Sequence, residues 1–382
     1  MKPYLLVTGD FVKTGGMDQC NHALATYLAD RGTETHLVAY RVDEYLARHP
    51  NVKFHQVPKP LGSYFLGNPL LDRRGRAEAR RIARLGGRVV VNGGNCMWPD
   101  VNWIIHLHTR YKPAVLASPL RRLKASFEFR QAAIAERRAL ACAKVVIAGS
   151  RATRDELIAD FGIPESRIHT VDLGVDRELF RIPTAEERVA ARAAAGLAGD
   201  RIAAIFVGAI GDRRKGFDTL YLAWKKLCAD PGWDAELFVV GAGFELPAWK
   251  ARAIEDGLAG KIRFTGFSPA TDFVATLLRA CDVMVSPTRY EGYGLAIQEA
   301  VCCGLPAIAS RLAPVTDRFG GALSELMLDD PENVSALVDR FYLWRSRRTE
   351  FRVEAAGLSD CLRHWTWRDM AERITGIVEA SA

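Results

Sequence analysis

The stretch CDVMVSPTRYEGYGLAIQEAVCCGLP, residues 281–306, is where the fold is read most clearly. It opens with an apolar run closed by Pro287, the pattern of a buried strand. Gly292 and Gly294 then permit a tight turn, and apolar positions resume at helical spacing over 295–303. Working outward, the same alternation runs through RIAAIFVGAI (residues 201–210), a helix at 217–228, and strands AELFVVGAG (235–243) and KIRFTG (261–266). An earlier cycle has a strand from Tyr4 to Thr8, a helix from Asp18 to Asp30, and strands HLVAY (36–40), RVVVN (88–92), NWIIHLH (102–108) and KVVIAG (144–149). Strands alternating with helices imply parallel sheets covered by helices. The expected architecture is α/β, with two Rossmann-like lobes facing across a cleft.

The expected boundaries are residues 1–180 for the first lobe and 181–364 for the second. A helix in 365–382 is expected to cross back to the first lobe. The linker is expected between Asp176 and Asp200, where Pro183 and an Ala/Arg/Glu-rich run break the alternation.

A chain of 382 residues is long enough for two cores, and with 49% apolar and 25% charged residues it has the balance of a globular protein. No run approaches the roughly 20 apolar residues that span a bilayer, and the N-terminus has no long apolar signal segment. A cytoplasmic location is expected, at most peripheral on the inner face of the membrane. Eight scattered cysteines without C-x-x-C spacing read as reduced thiols, with no zinc site. Residues 1–170 carry 26 Lys/Arg against 15 Asp/Glu, whereas 171–382 carry 26 against 30. Most of the basic excess falls in 70–140, through RRGRAEARRIAR (73–84) and RRLK (121–124), and it suits an anionic surface unless it is only a solvated helix face.

Ligands in open α/β sheets gather at the carboxyl ends of strands. There, a helix starting at Leu295 presents unpaired N–H groups and a partial positive charge suited to a diphosphate. Glu299, about a turn further on, can accept two hydrogen bonds from a vicinal diol such as a ribose, and Glu291, still in the loop, would face the sugar. In FVGAIGDRRKGFDTL (206–220), Lys215 beside Gly216 can set an ammonium against a β-phosphate and offset charge on a leaving diphosphate. TGDFVKTGGMDQCN (8–21) joins strand to helix through Gly15 and Gly16, which allow close ligand approach but do not form G-x-G-x-x-G. His106 and His108 end a strand, and only His108 borders the polar loop. No D-x-D triplet occurs.

The run from Ser286 to Pro306 resembles the Glu-to-Glu signature of family 4 glycosyltransferases, retaining enzymes of the GT-B fold. The resemblance implies that Glu299 binds the ribose and Glu291 contacts the transferred sugar. It adds His108 near that sugar, giving His108, Lys215 and Glu291 as catalytic candidates. The donor-binding set is Gly15, Gly16, Gly208, Arg214, Lys215, Gly292, Tyr293, Gly294, Leu295 and Glu299, although the Gly15–Gly16 loop itself resembles the family's acceptor-side loop. GAGFE (241–245) resembles the family's glycine turn before a glutamate.

Two departures stand out. Ala209 occupies the position of the family's usual arginine, leaving Arg213 or Arg214 to supply the second phosphate cation. RLAPVTDRFGG (311–321) replaces the usual glycine-proline-glutamate run, and residues 40–135 match no recognisable motif.

The implied reaction moves a hexose from a nucleotide diphosphate-sugar to a hydroxyl acceptor with retention, without a metal or cofactor, the donor being the co-substrate. The departing phosphate itself would take the acceptor's proton. The acceptor class stays open: a lipid-linked sugar, a polysaccharide or a small glycoside. An anionic membrane is an expected partner and nucleic acid is not, with Arg73, Arg74, Arg121 and Arg122 as the basic residues to neutralise. Rival readings are a nucleotide-sugar epimerase or phosphorylase, and a non-catalytic glycan- or membrane-binding protein on a decayed transferase. An NAD dehydrogenase fits least, for want of its fingerprint.

Overall fold

The computed structural model describes residues 2–111, 119–197, 199–211, 213–268 and 270–381; the side chains of 119–122, 124 and 125 also lie outside the described set. The chain divides into two compact units. One holds Met1–Lys112, Leu116–Gly174 and Thr366–Ala382, the other Val175–Trp365.

The first unit is built on a seven-stranded sheet in the order Val52–Gln56, Thr35–Ala39, Tyr4–Val7, Arg88–Asn92, Val101–Ile104, Val145–Ala148, Ile168–Thr170. Every pairing is parallel. Tyr4–Val7 and Thr35–Ala39 are buried along their whole length, which suits their mainly apolar runs, and the buried His36 is satisfied by Glu34 at 3.0 Å. Helix Tyr64–Arg84 covers one face through Leu71, Ala79 and Ile82, which join Leu5, Val38 and Val91 in the core. Helix Trp367–Ala380 starts on a capping box between Thr366 and Asp369 and lies against helix Gly16–Asp30. Arg31 and Tyr4 fix its far end through Glu379, at 2.6 and 3.3 Å.

The second unit has a six-stranded parallel sheet in the order Ile262–Gly266, Ala235–Val240, Ile202–Val207, Val283–Ser286, Ala307–Ser310, Met327–Leu328. Helix Phe217–Cys228 buries Phe217, Tyr221 and Trp224, and these rings meet Trp249, Trp233 and Phe341.

Two expectations change. The stretch expected as a linker contains helix Ala185–Ala194, capped by Thr184 and Glu187. Arg188 and Arg192 of that helix reach Asp282 at 2.7 and 3.7 Å, so the stretch packs onto the second unit instead of spanning freely. The strand expected over 102–108 stops at Ile104, and a 3-10 turn, His108–Arg110, follows. Neither His106 nor His108 is therefore a strand residue. Residues 40–135, unreadable by motif, supply strand Val52–Gln56, helix Tyr64–Arg84 and the start of helix Pro119–Cys142.

Candidate functional site

In the second sheet, strand order reverses between Ile202–Val207 and Val283–Ser286. The two strands of that pair connect onward to neighbours on opposite sides of them, and it is at such a point that α/β sheets hold ligands in a crevice. The loops leaving their carboxyl ends are 208–216 and 287–294, the two that carry the sequence motifs. They touch: a β-carbon on Gly216, whose φ is 72°, would lie 1.8 Å from the Pro287 carbonyl oxygen. The Arg214 carbonyl accepts from Arg289 N–H at 2.7 Å and Thr288 Oγ1 at 3.0 Å.

Arg289 ties the loops together. Its guanidinium donates to both Asp218 oxygens at 2.7 and 3.0 Å, to Thr219 Oγ1 at 3.2 Å, to Glu332 at 2.8 Å and to the Arg213 carbonyl. Bidentate pairing of this kind fixes geometry as well as charge. Sequence reasoning missed this residue, since it lies inside the motif but its partners Asp218 and Thr219 are about 70 residues away.

Above that tie, the Lys215 ammonium meets the Glu291 carboxylate, and Arg214 Nη1 lies 3.5 Å from the other Glu291 oxygen. Arg214 also donates to the Tyr290 carbonyl at 3.2 Å, whereas Arg213 turns toward Asp218, 3.9 Å away. Two cations thus share one carboxylate. Beside them helix Leu295–Cys302 begins on Gly294, whose φ of 102° suits glycine. The departing segment 311–321 supports this turn: Val315 N–H donates to the Tyr293 carbonyl at 2.8 Å.

Glu299 sits a turn into the helix, 8% exposed, with no side-chain hydrogen bond to any described residue. Burial, and then the Asp176 carboxylate, push its carboxyl up to about 8. Asp176 is held by the Glu178 and Leu179 N–H groups at 3.1 and 3.0 Å. A buried carboxyl lacking partners can accept from ligand hydroxyls once it ionises. In the hollow under loop 209–218, Glu245 of the GAGFE turn takes Trp249 Nε1 on one oxygen, at 3.3 Å.

The remaining candidates lie in the first unit. Gly15, at φ 88°, precedes the helix that Gly16 begins. Asp18 in its first turn is pushed up to about 7 by burial and by Asp10, while Asp10 forms a bidentate pair with Arg41 at 3.0 and 2.8 Å. His108 Nδ1 lies 2.9 Å from Glu136 Oε1, and the other Glu136 oxygen accepts His108 N–H at 3.0 Å. Burial alone would lower the imidazole; the hydrogen bond and charge of Glu136 outweigh it and leave His108 raised. His106 packs edge-on to His108 at 5.4 Å.

Among the described residues, one group has the spacing of metal ligands: His36, His55 and Glu78. Arg81 and Arg74 already donate to the two imidazoles at 2.8 and 3.1 Å. That donor set belongs to hydrogen-bonded neutral rings rather than to a cation site.

The structure thus gathers Gly208, Arg214, Lys215, Glu291, Gly292, Tyr293, Gly294 and Leu295 around one crevice of the second unit, with Glu299 a turn away. Gly15, Gly16 and His108 are in the first.

Comparison with known proteins bears on this geometry. The profile of Glycosyltransferase Family 4 matches residues 14–179, and that of Glycosyl transferases group 1 matches 201–342. D-inositol 3-phosphate glycosyltransferase 1 of Catenulispora acidiphila is 30% identical over 256 residues, covering 63% of this chain and 58% of that protein. The chain thus spans somewhat over half the length of this relative. Among solved structures, WaaG, a glycosyltransferase involved in lipopolysaccharide biosynthesis, has a TM-score of 0.78 at 18% identity, covering 98% of this chain and 99% of WaaG. Anabaena HepE in complex with UDP-glucose has 0.68 at 16%, covering 99% of each. At these identities the structural likeness speaks for the GT-B fold.

Proposed function

Because the chain belongs to the family 4 glycosyltransferases, we propose that it transfers a sugar from a nucleoside diphosphate-sugar to a hydroxyl acceptor with retention at the anomeric carbon. The observation that carries this reading is the Lys215–Glu291–Arg214 cluster beside the start of helix Leu295–Cys302, in the crevice between two motif loops. An incoming diphosphate would draw Lys215 and Arg214 from Glu291, with the helix N-terminus completing a cationic cradle. Arg214 then takes the place of the arginine missing at Ala209. Glu299 accepts the ribose diol, and Glu291, released from its cations, faces the sugar.

The C–O bond between anomeric carbon and diphosphate breaks through an oxocarbenium-like state. The acceptor oxygen attacks from the same face, and its proton passes to the departing phosphate. Lys215 and Arg214 offset the charge gained by the leaving group, in the role a divalent cation plays elsewhere. His108, held by Glu136, contacts the transferred sugar in this reading.

The test is calorimetric titration with UDP and UDP-glucose, the donor held by HepE, followed by turnover assays in a chelator. Lys215→Ala should abolish turnover, while wild-type activity survives the chelator. Loss of wild-type activity in the chelator would reject the metal-free mechanism; hydrolysis or epimerisation independent of any acceptor would reject transfer.

A further inference from the structure

One face of the first unit plays no part in the transfer reading. The 3-10 turn Pro60–Gly62 lifts Leu61 into solvent, 95% exposed, with its backbone in the left-handed region at φ 51°. A leucine is strained in that region of the backbone. Next to it, Tyr64, Phe65, Leu66 and Leu70 are exposed on the first turns of helix Tyr64–Arg84. Phe65 packs edge-on to exposed Phe127 at 5.5 Å.

Helical geometry places Leu66, Leu70, Arg73, Ala77, Arg80 and Arg84 on a single stripe, and all six are exposed. The stripe is apolar at its start and cationic beyond. Arg74, Arg76 and Arg81 pair with Glu78 or Asp72, each at 2.9 Å, Arg74 and Arg81 sharing the one Glu78 carboxylate. Arg73, Arg80 and Arg84 have no carboxylate partner among the described residues. The basic surface expected at Arg74 is therefore compensated only in part, by a carboxylate it shares with Arg81, and Arg121 and Arg122 lie outside the described side chains.

The geometry points to this stripe as a docking face for an anionic phospholipid bilayer, with Leu61, Phe65 and Leu66 entering the headgroup boundary and Arg73, Arg80 and Arg84 lying along the phosphates. Charge complementarity selects this occupant. A helix lying in the interface needs an apolar edge, aromatic residues at its margin and uncompensated cations whose stems run along the surface, and this stripe has all three. The inference is independent of the transfer chemistry, because none of these residues lies in the crevice of the second unit.

The test is co-sedimentation of the full chain with phosphatidylcholine vesicles, with and without about a third of phosphatidylglycerol, from about 50 to about 500 mM salt. Binding should require phosphatidylglycerol and fall steeply with salt. The combined variant Arg73→Gln/Arg80→Gln/Arg84→Gln should bind roughly a hundredfold more weakly. Leu61→Ser/Leu66→Ser should remove the fraction that resists salt, and Arg74→Gln should change affinity less than about threefold. Thermal unfolding of each variant, expected to match wild type, checks that the first unit is folded, and nucleotide titration reports the transfer site separately. No binding to phosphatidylglycerol vesicles, equal binding to both vesicle types, or an equal loss in Arg74→Gln overturns the proposal. So does self-association that disappears in Leu61→Ser/Leu66→Ser, which would make the face a contact between copies of the chain.

Discussion

Glu299 is buried without a partner, so its protonation couples to both folding and binding. A carboxyl raised to about 8 in the folded chain gives full stability below its ordinary value near 4.5 and loses it as pH rises through 8. Glu299→Gln should therefore raise the melting temperature more at pH 9 than at pH 5, a comparison that thermal scans can make. Two hydroxyls donating to the carboxylate favour its ionised form, so nucleotide binding at pH 7 should release up to one proton. Titration in buffers of different ionisation enthalpy reads that release, and its absence would place the ribose elsewhere. The same variant should weaken nucleotide affinity by about 1–3 kcal/mol. His108 has the opposite origin, a gain from Glu136. Its stabilisation is complete below the ordinary value near 6.5 and is lost as pH rises through the raised one. Glu136→Gln should consequently cost more at pH 6 than at pH 9 in denaturant unfolding; an equal cost at both would mean that Glu136 serves only the backbone N–H.

At the scale of elements, the site depends on two loops held at contact distance. Gly216→Ala would put a methyl group 1.8 Å from the Pro287 carbonyl and hold alanine at φ 72°. The expected cost exceeds about 2 kcal/mol and should come with loss of nucleotide binding; a variant that binds normally would show that the loops can part without consequence. Arg289→Gln removes the tie and leaves the Asp218 carboxylate without its bidentate partner, so nucleotide affinity and melting temperature should both fall. Helix Trp367–Ala380 makes a different contribution. Ile374 is buried where this helix covers the first unit, and Ile374→Ala should cost about 2–5 kcal/mol by denaturant unfolding, with nucleotide binding by the second unit retained. The sequence located these elements because periodicity, glycine chemistry and caps are local signals. It overran the strand before His106 because apolar residues continue past Ile104 although sheet pairing stops there. It also took Ala185–Ala194 for linker, since a short Ala/Arg/Glu run carries no apolar stripe and is held as a helix by its cap and by Asp282.

Over the whole molecule, the two units differ in how acid acts on them. His22, His36 and His55, all in the first unit, are lowered chiefly by burial. At these three sites the unfolded chain takes up protons near pH 6.5 that the folded unit resists, while the raised Asp18 and His108 of the same unit act in the opposite sense. Glu299 in the second unit gains over the same interval. Calorimetry should show two transitions, the second unit's moving up as pH falls from 7.5 to 5.5; one transition that moves as a whole would mean the units unfold together. The sequence by itself determined the two α/β cycles, the loops that carry the motifs and the family, because each is written in contiguous residues. Only tertiary structure decided that Arg289 joins Asp218 across 71 positions, that burial and then Asp176 raise Glu299, that Glu136 holds His108, and which arginines of helix Tyr64–Arg84 are left uncompensated. Burial and charge pairing belong to whichever segments meet in space, and the order of residues along the chain does not fix those meetings locally.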